Sequence, residues 1–384
     1  MLSGGTGVSF LLKIRSIFVL LLIGGVWYVY GENFKLSDFQ SIYEEIHSDV
    51  NQIIENPEVQ ATVVTVGEQV QRWFDELKGK LEDNIETQPK AKKPDLEEPS
   101  KQSFSVHNIE IGDSRSEVEK QAGSAKRASL NEYGVEWVAY HDNYQNFFMA
   151  AYNEENKVAG LYTNQDLLAS TLDITFKSSR ESVRATASEP LESIQKGLVS
   201  YKVQNDQEYD TFLIDNNYVT IFYDKHEDNR VTAIQIISGE LEQQKEKFFT
   251  DPSPELKEGF EYQLFDLTNA ARVNHGLSVL DWDESVRETA RGHSKDMAGN
   301  HYFSHTNLEG QSPFDRMAED GIAFSMAGEN LAMGQVSSIF AHEGLMNSPG
   351  HRENILQKNY ERLGVGVAFN EKSQPFYTEN FLKK

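Results

Sequence analysis

The sequence predicts an α+β chain: a C-terminal α-β-α sandwich, preceded by a duplicated α+β region and an N-terminal membrane helix. Three observations predict it. Between about 104 and 245 one stretch is echoed by another, as when Ile111-Gly112-Asp113-Ser114-Arg115-Ser116-Glu117-Val118 returns as Phe176-Lys177-Ser178-Ser179-Arg180-Glu181-Ser182-Val183. After Thr250-Asp251-Pro252-Ser253-Pro254, helix-period segments alternate with strand-like ones, and helices flanking strands imply layers. Near the start, Ile17 to Tyr30 is uncharged and apolar.

Lys13 and Arg15 precede that apolar run and acidic residues follow it, which places the N-terminus inside and the remainder outside a cell membrane. The run is shorter than the roughly 20 residues a span needs, but Val8 to Leu12 extends it if Lys13 and Arg15 snorkel. Trp27, Tyr28 and Tyr30 stand where a cleavage site would have small residues, so 1–32 reads as an uncleaved signal anchor with an extracellular C-terminus. A cleaved signal peptide and a secreted protein are the alternative. Residues 33–86 read as a helical stalk from Val59, Val63, Val66, Val70, Trp73, Phe74 and Leu77, although Ala61 to Val66 also suits a strand. Residues 87–103, with Pro89, Pro94 and Pro99 and almost no large apolar residue, read as a disordered linker.

Residues 104–245 form the duplicated region. Ala151-Tyr152-Asn153 followed by Asn156 to Tyr162 is echoed by Phe222-Tyr223-Asp224 followed by Asn229 to Gln235. Each copy reads as a Ser-capped helix and then an aromatic-rich hairpin, giving two similar lobes packed together. His107, His141 and His226 are scattered, with no converging acid, base or nucleophile, so binding or scaffolding is expected here rather than catalysis.

In residues 255–384, Leu264, Leu267, Ala270, Ala271 and Val273 mark a helix ending near Asn274-His275-Gly276. Asp283 caps a second helix, with Val286, Ala290, His293 and Met297 on its apolar stripe. Short helices follow at Pro313 to Gly321 and Phe340 to Asn347; Gly364 to Phe369 and Gln374 to Phe381 are two strands of a hairpin.

A net charge of -24 over 384 residues opposes phosphate contacts and excludes nucleic acid as an expected partner. The absence of cysteine excludes disulfides, thiolate zinc sites, a cysteine nucleophile and an acylated N-terminal cysteine. Any metal would need His and carboxylate ligands.

The titratable groups set beside turn residues are His305 in His301-Tyr302-Phe303-Ser304-His305-Thr306, Glu329 in Gly328-Glu329-Asn330, and His351 in Asn347-Ser348-Pro349-Gly350-His351. Ser304 lacks a Gly-x-Ser-x-Gly elbow, and His342-Glu343 is followed by Met346 where a zincin helix has its second His. Gly364-Val365-Gly366-Val367 is a strand pattern rather than a nucleotide loop.

Together with Leu267-x-Asn269-x-x-Arg272, Pro313-Phe314-Asp315-Arg316-Met317 and His351-Arg352-x-Asn354-Ile355-Leu356, these motifs occur in the order that resembles the CAP superfamily of cysteine-rich secretory, antigen 5 and pathogenesis-related proteins, in its bacterial branch. The duplicated region is similar to the N-terminal domain that accompanies some bacterial members. The resemblance implies an α-β-α sandwich whose cleft gathers two His and two acids: His305, Glu329 and His351 match three of them. The fourth departs. Leu345 stands where the family has a helical Trp, and Ser348 stands one turn later where it has the second acid; Glu343 is the nearest substitute, about 140° away around an ideal helix. Ligand binding is then expected through His305, Glu329, His351, Glu343 and Asn330. The ligand would be a lipid, peptide or wall polymer of the cell envelope, with Zn²⁺ or another divalent cation held by His305, His351 and Glu329. No nucleophile accompanies the set, so binding is expected over hydrolysis; a metal- or acid/base-dependent hydrolase and a structural envelope or spore-surface protein are the alternatives.

Overall fold

The computed structural model describes residues 91–203 and 208–384, so the expected anchor, the stalk and residues 87–90 lie outside the described residues. Among the described residues no helix is long and apolar enough to cross a membrane.

Residues 91–103, expected as disordered linker, are instead held along the domain that follows. The backbone N–H groups of Ser100, Lys101 and Gln102 donate to the Glu110 carboxylate at 3.0, 2.7 and 2.6 Å. Glu97 N–H donates to Asn108 Oδ1, and Ser103 N–H to Asp215. Composition spoke only to apolar burial; one carboxylate collecting three amides orders an extended strap without a core.

The domain opens with β1 (Phe104–Val106) and α1 (Arg115–Ala122), whose capping box pairs Ser114 with Glu117 as Ser-x-x-Glu predicts. β2 (Arg127–Leu130), β3 (Glu136–Asp142), β4 (Gln145–Tyr152) and β5 (Val158–Thr163) form a meander, and β6 (Leu168–Ser170) returns to pair with β1. The second echo supplies α2 (Arg180–Thr186), capped by Ser179, a small hairpin of β7 (Ser193–Lys196) and β8 (Val199–Lys202), then β9 (Tyr209–Ile214), β10 (Asn217–Asp224), β11 (Arg230–Ser238) and α3 (Gly239–Gln244). Matching segments make matching bonds: Arg115 N–H donates to Asn156 O as Arg180 N–H does to Asn229 O, and Val158 N–H to Asp113 O as Val231 N–H to Ser178 O.

They do not form two lobes. Seven strands make one antiparallel sheet in the order β2-β3-β4-β5-β11-β10-β9, joined where Ile234 to Ile237 pair with Thr163 to Gly160. Each meander alone would leave an open edge, and pairing β5 with β11 closes both. One face of the sheet, with Val138, Tyr140, Phe148, Ile234 and Ile236, packs against Val118 and Val183 of α1 and α2. The other, with Trp137, Phe147, Tyr162 and Phe222, packs on Leu267, Ala270 and Ile339 of the C-terminal domain.

That domain contains α4 (Pro254–Asn274), β12 (Asp281–Trp282), α5 (Glu284–Asn300), α6 (Pro313–Glu319), β13 (Met326–Met333), α7 (Ser338–Asn347), α8 (Pro349–Ile355), β14 (Arg362–Phe369) and β15 (Pro375–Lys383). Its sheet runs β12-β14-β15-β13, leaving β13 at an edge. Side chains alternate along β14: Val365 and Val367 join Leu256, Phe260 and Leu264 of α4 and Leu345 of α7, while Gly364 and Gly366 face α5. A Cβ on either glycine would run into the α5 backbone at Arg287 or Arg291, so the Gly-Val-Gly motif exists to let a helix lie directly on a strand. The result is the α-β-α sandwich expected.

Candidate functional site

Glu329 and Asn330 lie on the edge strand β13, where alternation sends them to opposite layers. Gly328, on the same side as Asn330, has no room for a Cβ because Tyr360 Oη and Asn354 Oδ1 press against it. Asn354 Nδ2 donates to Glu329 O and to Asn330 Oδ1, at 3.2 and 2.9 Å. Asn330 Nδ2 in turn reaches the His351 carbonyl and Glu379 Oε2, both at 3.1 Å. Burial pushes the Glu379 carboxyl up to about 7, opposed by hydrogen bonds from Thr268 and Asn330. Thr268, Glu379, Asn330 and the His351 carbonyl thus form a buried polar chain behind the site.

On the other layer, each oxygen of the Glu329 carboxylate has a charged or polar partner. Oε1 lies 2.9 Å from His305 Nδ1, and Oε2 accepts from Arg316 Nη2 at 2.6 Å. Arg316 Nη1 also donates to the His305 carbonyl at 2.8 Å and to Gln311 O at 3.1 Å. His293 of α5 holds the same loop, its Nε2 lying 2.9 Å from Ser304 O. The Glu329 side chain is 1% exposed and that of His305 52%, so a buried ion pair orients an imidazole whose other face is open. Its Nε2 has no partner among the described residues, and neither ring nitrogen of His351 has one. Burial, with His305 nearby, holds the His351 imidazole below the usual histidine range.

The structure therefore brings together His305, Glu329, Asn330 and His351. It does not bring Glu343. That carboxyl is buried at the seam with the N-terminal domain, where Tyr162 Oη donates to Oε1 at 2.6 Å, and its charged neighbours are Asp224, Arg352 and Glu208. Five residues from the family position on a helix, it faces another layer, and Ser348 fills that slot with no cap hydrogen bond.

The metal expectation also fails to fit. Among the described residues no three His, Asp or Glu side chains converge to hold an ion. The carboxylate that would ligate it is already paired with a guanidinium, which would repel a cation. Arg316, within Pro-Phe-Asp-Arg-Met, is a site residue that no motif spacing singles out; an arginine three residues after a helix-opening proline is the available signal.

A separate cavity of about 220 Å³ opens at the seam between the domains, lined by Tyr209, Tyr218, Phe222, Gln235 and Phe340. It lies apart from the histidines.

A sandwich carrying two histidines and a Gly-Glu-Asn carboxylate at its edge strand defines a CAP-type domain. The chain belongs to that family: the cysteine-rich secretory protein family model matches residues 265–381, and a CAP-associated N-terminal model matches residues 111–248. YlbC of Bacillus subtilis, called an uncharacterized membrane protein, is 32% identical over 295 residues, covering 71% of this chain and 82% of its own. YkwD of the same organism, also uncharacterized, is 38% identical over 135 residues, 35% of this chain and 51% of its own. Among solved structures, an extracellular protein containing an SCP domain from Bacillus anthracis aligns with a TM-score of 0.62 at 27% identity, over 77% of this chain and 99% of that one. A Staphylococcus aureus cysteine-rich secretory protein shares the fold, with a TM-score of 0.58 at 15% identity, over 76% and 97%.

Proposed function

We propose that the chain is a membrane-anchored extracellular protein whose C-terminal domain binds a cell-envelope ligand at the His305, Glu329 and His351 site. The observation that carries this reading is the locked carboxylate. With both oxygens of Glu329 taken by Arg316 and His305, the site offers ligand two imidazoles, one of them oriented, and no nucleophile. The charge order around the apolar N-terminal segment supports the anchor, as does a relative called a membrane protein; a neighbour titled extracellular supports the side.

The test is calorimetric titration of the full chain in detergent with three probes: phospholipid in mixed micelles of the same detergent, wall-polymer fragments and short peptides. Binding of one probe, lost in the His305→Ala, His351→Ala double variant with its melting temperature kept, is the expected result. No binding of any probe, or equal binding by the double variant, sinks the reading. The His305–Glu329 hydrogen bond is also the pairing of a general base with its orienting carboxylate, which favours a hydrolase as second reading. Turnover of any of the three probes, abolished by Glu329→Gln, would replace binding with catalysis.

A further inference from the structure

Asn347 and Arg352 bracket the Ser348 junction of α7 with α8 and the first turn of α8, which carries His351, and both are held by the N-terminal domain. Asn347 Oδ1 accepts from Lys225 N–H at 2.9 Å, and Nδ2 donates to Tyr223 O at 2.9 Å. The Asn347 carbonyl lies 3.2 Å from His226 Nε2. Arg352 Nη2 lies 2.9 Å from Asp224 Oδ2, with the two side chains only 14% and 9% exposed. Nη1 also donates to Met346 O at 3.2 Å, Nη2 lies 3.4 Å from His275 Nε2, and the guanidinium is a charged neighbour of Glu343.

Within the segment itself the fixing is by backbone, Ser348 N–H donating to Leu345 O at 3.2 Å and Arg352 N–H to Ser348 O at 2.9 Å. Ser337 and Ser348, at the N-caps of α7 and α8, make no side-chain cap bond, and Pro349 and Gly350 are exposed. From β13 the Asn330 side chain reaches the His351 backbone, and among the described residues no hydrogen-bond partner meets the imidazole.

The equivalent turn of the first echo shows what such a turn does when it serves only itself. Asn153 stands where Asp224 stands, and its Oδ1 accepts from Glu155 N–H at 3.1 Å and Lys157 N–H at 2.9 Å. Asp224 closes its own turn with one oxygen, Oδ1 accepting from His226 N–H at 2.8 Å, and turns the other to Arg352. The same turn has been put to use across the seam.

We propose that the N-terminal domain is the positioning element of the cleft: Asp224 and the Tyr223–His226 turn set the placement of His351 through Arg352 and Asn347. The consequence for affinity rests on the binding reading above; the placement itself does not, and it is measurable with no ligand present.

The experiment modifies the full chain in detergent with diethyl pyrocarbonate and reads each histidine by peptide mass spectrometry, using the His351-to-His305 rate ratio. Cutting one side of a largely buried charge pair acts on the scale of 1.4 kcal/mol or more, so Asp224→Ala should raise the ratio roughly tenfold. Asp224→Glu should restore part of it, and Asn153→Ala in the first echo should leave it unchanged. If Asp224→Ala does not fold, Arg352→Gln breaks the same pair from the other side. A general loss of stability would raise both histidines together; an unchanged ratio in Asp224→Ala and in its combination with Asn347→Ala overturns the proposal. A raised ratio in a protein that binds none of the three probes upholds the positioning and sinks the binding reading alone.

Discussion

Replacing Glu343 with glutamine should stabilise the protein, and the gain should grow with pH. Burial pushes the Glu343 carboxyl up from 4.5 to about 7, against hydrogen bonding from Tyr162 and attraction by Arg352, and with Asp224 and Glu208 reinforcing it. Between pH 4.5 and about 7 the unfolded chain releases this proton while the folded chain keeps it, so this group makes folding less favourable as pH rises and then levels off. The interval corresponds to roughly 3 kcal/mol at pH 8 and roughly 1 kcal/mol at pH 5, where ionisation of the unfolded chain has only begun. Glutamine removes the titration and keeps an oxygen for the Tyr162 hydroxyl. Its advantage over wild type should therefore be about 2 kcal/mol larger at pH 8 than at pH 5. The assay is urea unfolding of both proteins at the two pH values, followed by tryptophan fluorescence, since Trp137 is buried in the same seam. Equal differences at both pH values would show that Glu343 is ionised in the folded protein and refute the argument. A cleft acid, by contrast, would lose ligand on this substitution, which the seam position says will not happen.

Arg316→Ala should cost about 3 kcal/mol or more, because it leaves the buried Glu329 carboxylate without its guanidinium and frees the His305 carbonyl; thermal unfolding reads the loss, and Arg316→Lys should recover only part. An unchanged melting temperature would mean the ion pair contributes nothing. Glu110→Ala removes the single acceptor of three strap amides, so trypsin should cut at Lys101 faster than in wild type while the folded domains stay intact; equal cutting rates would show that the strap is held by something else.

The sandwich was legible because its signals are local: a 3.6 period, a Ser or Asp cap, a glycine after the last turn, and motifs in family order. The layout of the site was only half legible. His305, Glu329 and His351 sit beside turn residues that announce them, whereas Arg316 acts through a fold-dependent reach from α6 to β13 that no spacing encodes. The same limit explains Glu343. A helix position gives an azimuth, but which layer that azimuth meets depended on a whole second domain covering α7, and Tyr162, 181 residues earlier, supplied the partner. The duplicated region shows the converse. Its repeat was visible in the residues, yet repetition alone says nothing about whether two meanders stay apart or share a sheet; the unpaired edges of β5 and β11 decided that. Divergence between repeats then becomes informative. Where Asn153 closes a turn and Asp224 closes one and also reaches across the seam, a single carboxylate oxygen separates a structural copy from one that holds the helix turn of His351.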